Sequence, residues 1–255
     1  MTRKLKVPAL VALLVLLGLP WSAAALEEDF AETFALSPDG RVSLDNVNGR
    51  VEIQAWDSAE VKVEYTKKAQ SRAGLERMKV RIDASQRSIH VETDYEDSGR
   101  GFWRDSGGEV EYRLWVPRQA RLDAVELVNG DLEIRGVEGD VNASLVNGDL
   151  IASGLGGDLE LETVNGTIEV TLDRLRPGSD VSLESVNGRV EVVLPAGANA
   201  DVRAETVHGR IRNDFGLDEK RERYGVGRSL SGTVGSGGAR VDLETVNGSI
   251  DIRSQ

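Results

Sequence analysis

From Val128 onward, apolar and polar residues alternate in short runs that keep arriving at the same corner. A period of two predicts strands with one face buried and one exposed. Aligned on the corner, Val51, Leu132, Leu150, Ile168, Val190, Ile211 and Ile250 share one column, and Ile53, Ile134, Ala152, Val170, Val192, Asn213 and Ile252 share a second, two residues on. Both columns are expected to face a core. The corners are Asn48-Gly49, Asn129-Gly130, Asn147-Gly148, Asn165-Gly166, Asn187-Gly188 and Asn247-Gly248, with His208-Gly209 as a seventh copy, each preceded by valine. Six of ten asparagines precede glycine, against about one expected by chance, so the corners are a repeat.

The spacing of the corners converts the repeat into an architecture. Val128, Val146 and Val164 are 18 residues apart, and Val186, Val207 and Val246 follow after 22, 21 and 39. A second, looser corner lies midway, at Val137-Glu138-Gly139, Leu155-Gly156-Gly157, Arg176-Pro177-Gly178 and Pro195-Ala196-Gly197, and it absorbs the insertions. Nine residues hold one short strand and a turn, too little for a helix. Asparagine and glycine reach positive φ most cheaply, which suits a sharp turn at each corner. Asn-Gly can also close a two-residue hairpin and build an antiparallel meander. One corner that stays constant while the other takes insertions favours stacked coils instead. The expected fold is all-β: a parallel β-solenoid of about 18 residues per coil, right-handed, with coils about 4.8 Å apart.

The stretch before Val128 is less regular. Leu44 to Ile53 is a full copy of the corner motif, and strand-like runs follow at Glu60 to Tyr65, Met78 to Asp83, Ser88 to Thr93 and Val110 to Val116. Ser71 to Met78 suits one short helix, and Glu27 to Leu36 is placed to cover the first open coil, whose edge would otherwise invite pairing. Asp214 to Ser236 reads as a glycine-rich loop insertion. The expected division is 1–25 leader, 26–127 wide irregular coils and 128–255 regular repeats.

Arg3, Lys4 and Lys6, the apolar run Val7 to Leu19 and Ala23-Ala24-Ala25 have the layout of a secretory signal peptide cut after Ala25. The chain is thereby expected in the periplasm, envelope or exterior of a bacterium. Its 255 residues contain no cysteine, which excludes disulfides, thiol catalysis and lipid attachment. Its net charge of -12 becomes -15 once the three leader cations go, and that acidity argues against nucleic acid as a partner.

Much of the acidity falls in columns. Two residues before each corner valine stand Asp45, Glu126, Ser144, Glu162, Glu184, Glu205 and Glu244; three after each corner glycine stand Glu52, Glu133, Ile151, Glu169, Glu191, Arg212 and Asp251. Stacked like charges repel across a sheet unless salt, water or a cation intervenes. Arg50, Arg189 and Arg210, directly after corner glycines, are positioned to relieve the second column. Asp131, Asp140, Asp149 and Asp158 recur every nine residues. That is the period of calcium-binding nonapeptide rolls, but those need the pattern G-G-x-G-x-D, whereas here a glycine directly precedes each aspartate, so a turn-forming role is expected.

No catalytic residue and no metal site is assigned, and no cofactor is expected. His90 and His208 are the sole imidazoles, one on a strand face and one at a corner. Polysaccharide-cleaving β-helices need an isolated carboxylate pair or cluster in a cleft, and regular columns do not supply one. Candidates for binding are Phe102-Trp103, flanked by Arg100 and Arg104, suited to stacking on a sugar or docking a partner, and the basic group Lys220, Arg221, Arg223 and Arg228.

The Leu44 to Ile53 copy, Ala55-Trp56-Asp57 running into Glu60-Val61-Lys62-Val63, the Glu111 to Pro117 strand and the succession of Val-Asn-Gly coils to Ile252 together resemble the bacterial putative-adhesin family of exported β-solenoid domains. The resemblance spans almost everything after residue 36. It implies a role at the cell envelope or surface, with an envelope protein or glycan as partner, and no assigned reaction. His208 and the Asp214 to Ser236 insertion depart from the family pattern.

Overall fold

In a computed structural model, residues 25–95, 108–221 and 227–255 are described. The chain first forms β1 (Leu26–Ala35), β2 (Arg41–Asn48), β3 (Val51–Trp56), β4 (Glu60–Ala69), α1 (Arg72–Arg77), β5 (Met78–Ala84), β6 (Ser88–Tyr95) and β7 (Glu109–Pro117). Strand pairs joined by the Asn-Gly corner follow: β8 (Arg121–Asn129) with β9 (Leu132–Arg135), β10 (Val141–Asn147) with β11 (Leu150–Ser153), β12 (Leu159–Asn165) with β13 (Ile168–Thr171), and β14 (Asp180–Asn187) with β15 (Val190–Leu194). The C-terminal part adds β16 (Ala200–His208), β17 (Ile211–Asn213), β18 (Glu219–Arg221), β19 (Arg228–Val234), β20 (Ala239–Asn247) and β21 (Ile250–Ser254).

These strands make two long sheets. One runs β1-β4-β7-β3-β9-β11-β13-β15-β21-β17, the other β18-β19-β16-β20-β14-β12-β10-β8-β2-β6-β5. The two strands flanking each Asn-Gly corner lie in different sheets and pair in parallel with their counterparts in neighbouring coils. Leu150 therefore faces Leu132 on one side and Ile168 on the other, and Asn147 aligns with Asn129 and Asn165. A hairpin turn would pair the two flanking strands with each other, so the meander is ruled out.

Both inward columns are buried between the sheets, from Val51 and Ile53 to Ile250 and Ile252. Asn213 is the exception, and its side chain instead ties down the chain after β17 by accepting from the Phe215 and Leu217 amides. At the N-terminal end aromatic rings pack together: Phe30 stacks on Tyr65 at 4.7 Å, and Tyr65 meets Tyr112 at 5.8 Å. The buried Tyr112 hydroxyl hydrogen-bonds the Thr93 hydroxyl at 2.6 Å, which meets its polar requirement.

Coils do not stack in chain order at either end. The β2–β3 coil sits between β6–β7 and β8–β9, and the last coil, β20–β21, is inserted between β14–β15 and β16–β17. The segment expected to be a loop explains the second insertion. Within 214–236, β19 pairs antiparallel along β16 from Ala200↔Val234 to Thr206↔Arg228, and β18 pairs on β19. With the outer edge of β16 occupied, the last coil can stack only on its inner edge. Leu230 and Val234 are buried by this pairing, so a glycine-rich stretch becomes an edge cover. At the opposite end β4 and then β1 close one sheet by antiparallel pairing, and β5 closes the other. The segment around β1 thus does protect an end, with β4 lying between it and the first coil.

Candidate functional site

The Asn-Gly corner does more than turn the chain. Each asparagine donates its side-chain amide to the side-chain oxygen of the asparagine one coil below: Asn129 to Asn48, Asn147 to Asn129, Asn165 to Asn147, Asn187 to Asn165 and Asn247 to Asn187, all at 2.8–3.0 Å. The result is a continuous amide ladder of the kind that stabilises stacked parallel strands. His208 aligns with Asn247 on the last coil of the parallel stack, where no further asparagine follows, which is why the motif can change there.

The glycines need a different explanation from the expected one. Only Gly49 and Gly148 among the corner glycines have positive φ, at 120° and 150°. What excludes a side chain is proximity: a Cβ on Gly130, Gly148, Gly166, Gly188 or Gly248 would lie closer than 3.0 Å to the carbonyl oxygen of the corner glycine one coil below. Buried hydroxyls then anchor that same carbonyl. Thr245 donates to Gly188 O at 3.2 Å, Ser185 to Gly166 O at 3.2 Å and Thr206 to Gly248 O at 3.0 Å.

The corner valines face outward. Val47, Val128, Val146, Val164, Val186, Val207 and Val246 are each 38–44% exposed, and stacking makes them one apolar stripe. Parity carries this signal, since each valine lies two residues from the outward acidic column, although next to Asn-Gly it reads only as part of the turn. Scattered exposed valines would mean little, whereas a contiguous apolar stripe is a candidate interaction surface. The stripe and the column Asp45, Glu126, Ser144, Glu162, Glu184, Glu244, Glu205 form the walls of a groove of about 860 Å³ along the stack. Glu92 extends the acidic wall at the β6 end, and Arg228 and Ser229 stand at the β19 end.

This acidic wall is largely uncompensated. Among the described residues Asp45 faces His90 at 3.6 Å, Glu92 lies 3.7 Å from Arg81 and Glu205 pairs with Arg203 at 2.8 Å, while no ion pair reaches Glu126, Glu162, Glu184 or Glu244. Burial raises the Glu244 carboxyl above its ordinary value, its stack neighbours Glu184 and Glu205 raise it further, and Arg203 opposes them in part. Burial raises Asp45 too, opposed by His90 and reinforced by Glu126 and Glu92. His90 is held on its strand face, with Nδ1 at 2.9 Å from the Ser43 hydroxyl.

The column after the glycines is built otherwise. Arg50 bridges Glu52 and Glu133 at 3.3 and 2.8 Å, Arg113 meets Glu52 at 3.1 Å, and Arg135 pairs with Glu133. Arg189 lies between Glu191 and Asp251 at 3.6 and 3.5 Å, and Arg212 and Arg253 add to the same pair. Asp251 is only 3% exposed, and Arg189 and Arg212 lie against its carboxylate, so the buried group has charged partners.

The remaining candidates separate clearly. The aspartates at nine-residue intervals accept backbone amides: Asp131 from Asp149, Asp149 from Thr167, Asp140 from Asp158 and Asp158 from Asp180, at 2.7–3.1 Å. Among the described residues no group of three or more His, Asp or Glu could hold a metal ion. Of the basic group, Lys220 is exposed on β18 and Arg228 is paired with Glu219 at 2.5 Å. Arg100, Phe102, Trp103, Arg104 and Arg223 lie outside the described residues.

Two parallel-paired sheets wound from short strands and carrying a linear groove define a β-solenoid-like body of the Toastrack kind. The chain belongs to the Toastrack DUF4097 family, whose model matches residues 119–253. The crystal structure of a putative cell adhesion protein from Clostridium sporogenes ATCC 15579 shares the fold, with a TM-score of 0.55 at 14% identity over 91% of this chain and 100% of that one. A putative adhesin from Bacteroides fragilis NCTC 9343 aligns with a TM-score of 0.45 at 11% identity, over 88% of this chain and 97% of that one. No curated protein matches the chain. Among the described residues no helix is long and apolar enough to cross a membrane.

Proposed function

We propose that this protein is a non-catalytic, adhesin-like scaffold or binding module of the bacterial cell envelope, and that the groove is its partner surface. The observation that carries the reading is the exposed valine stripe beside a carboxylate column in which Glu126, Glu162, Glu184 and Glu244 take part in no ion pair among the described residues. Export follows from the leader ending at Ala25. The body after it is taken as right-handed coils of about 18 residues, wide over 26–127 and regular over 128–255. The carboxylates form evenly spaced columns and no isolated acid–base pair, which supports binding over cleavage. The adhesion-related name of the Clostridium sporogenes structure agrees with this role.

The test is retention. Wild type and the triple variant Glu162→Gln/Glu184→Gln/Glu244→Gln are exported, and the envelope-bound fraction is measured. The variant is expected to be released. Unchanged retention would sink the groove as the contact surface, and release of reducing or unsaturated ends from envelope polysaccharide by the wild type would sink the non-catalytic assignment. A Phe102→Ala/Trp103→Ala variant reports separately on the aromatic pair.

A further inference from the structure

As a partner surface the groove still lacks a named occupant. Resting on that reading of the groove, we infer that it takes an extended peptide segment, supplied by another protein, in which lysine or arginine alternates with aliphatic residues.

Charge complementarity gives the first constraint. Glu126, Glu162, Glu184 and Glu244 form no ion pair among the described residues, with Arg203 near Glu244 paired to Glu205 instead, although the same coils supply arginines to the column on the other sheet. The missing positive charge is therefore left to a partner. An anionic ligand, whether nucleic acid, acidic lipid or acidic glycan, would meet repulsion along the whole wall.

The opposite wall gives the second constraint. It is made of valines, and no aromatic residue lines the groove among the described residues. Sugar rings are held by stacking on aromatic faces, whereas a valine wall matches aliphatic side chains. The occupant thus needs a cationic side and an aliphatic side.

Width and length select the backbone. The two walls are two residues apart along each strand, about 7 Å, which is narrower than an α-helix of about 10–12 Å. An extended chain sends successive side chains to opposite sides, so cations fall on the carboxylate wall and aliphatic groups on the valine wall. From β6 to β19 the groove crosses nine strands. At about 4.8 Å per step that span is about 38 Å, the length of about eleven extended residues. Five or six cations then lie along seven carboxylates, and the flexible lysine stem takes up the difference between the two repeats.

Fluorescence anisotropy with labelled twelve-residue peptides tests this on the purified protein. A lysine–valine alternating peptide is expected to bind, with affinity falling as salt rises. Lysine–serine and glutamate–valine peptides are expected to bind at least tenfold more weakly. Glu162→Gln/Glu184→Gln/Glu244→Gln and Val164→Thr/Val186→Thr/Val246→Thr should each weaken the lysine–valine peptide at least tenfold, whereas Glu169→Gln on the other sheet should not. Unfolding midpoints of all variants verify that they fold. Equal binding of the lysine–serine peptide, or no effect of the threonine variant, would overturn the amphipathic occupant. Binding of a chitosan oligomer in preference to every peptide would overturn it in favour of a cationic glycan. If no peptide binds but the glutamine variant still loses envelope retention, the peptide is wrong and the binding module stands. If peptide binding behaves as stated but retention is unchanged, the module reading fails alone.

Discussion

Two carboxylate columns run the length of this molecule at the same pitch, one on each sheet. On the sheet after the corner glycines, Arg50, Arg189, Arg212 and Arg253 are interleaved with Glu52, Glu133, Glu191 and Asp251, and charge there holds coils together. On the sheet before the corner, Glu162, Glu184 and Glu244 stack with no cation between them among the described residues. Parallel in-register pairing forces every outward residue beside its own counterpart at about 4.8 Å, so a repeat protein multiplies any charge it repeats. The difference shows that this multiplication is relieved where charge is structural and left in place beside the valine stripe.

The frame that carries both columns is the most sensitive point. Gly166→Ala puts a methyl group against the Gly148 carbonyl and should cost roughly 3–5 kcal/mol in urea unfolding. Gly197→Ala at the opposite corner, where nothing lies within 4 Å, should stay within about 0.5 kcal/mol. Equal losses at the two sites would show that coil spacing is not what demands glycine.

Arg189→Ala tests the compensated column. It leaves Asp251 with Arg212 and removes the bridge to Glu191, a loss of about 1–2 kcal/mol after allowing for the partly exposed guanidinium. Asn165→Ala interrupts the amide ladder at both neighbours and should cost about 1 kcal/mol while leaving either column's charge unchanged.

The smallest effect has the opposite sign. Glu244 is raised above its ordinary carboxylate value by burial and by Glu184 and Glu205, so the folded state holds its proton more tightly than the unfolded state. Its contribution favours folding at low pH and is lost as pH rises through the carboxylate range. Glu244→Gln should therefore stabilise the protein by a few tenths of a kcal/mol at pH 7 and by nothing near pH 3, measured as paired unfolding curves. Destabilisation at pH 7 would mean that this wall is compensated after all.

The groove is partly legible in the sequence. Glu162, Glu184 and Glu244 are visible as an outward column because strand parity is local. Val146 and Val164 obey the same parity, yet their place in the turn motif hides it, since a valine next to Asn-Gly reads as part of the turn. Turn geometry is the expected reason for the corner glycines, whereas close packing of successive coils explains most of them; that distance exists only between coils. Ser229 and Ser231 read as loop because a glycine-rich run carries weak strand propensity, and pairing with β16 overrides it.

The amino-acid sequence by itself determined the corners, the inward columns and the charge columns, because each depends on side-chain period and on residues within one coil. Only the tertiary structure decided which coil lies on which. Every coil presents the same corner and nearly the same edge, so local pattern cannot rank the possible neighbours. β19 settles the matter at the C-terminal end by occupying the outer edge of β16, which sends β20 and β21 inward to complete both sheets.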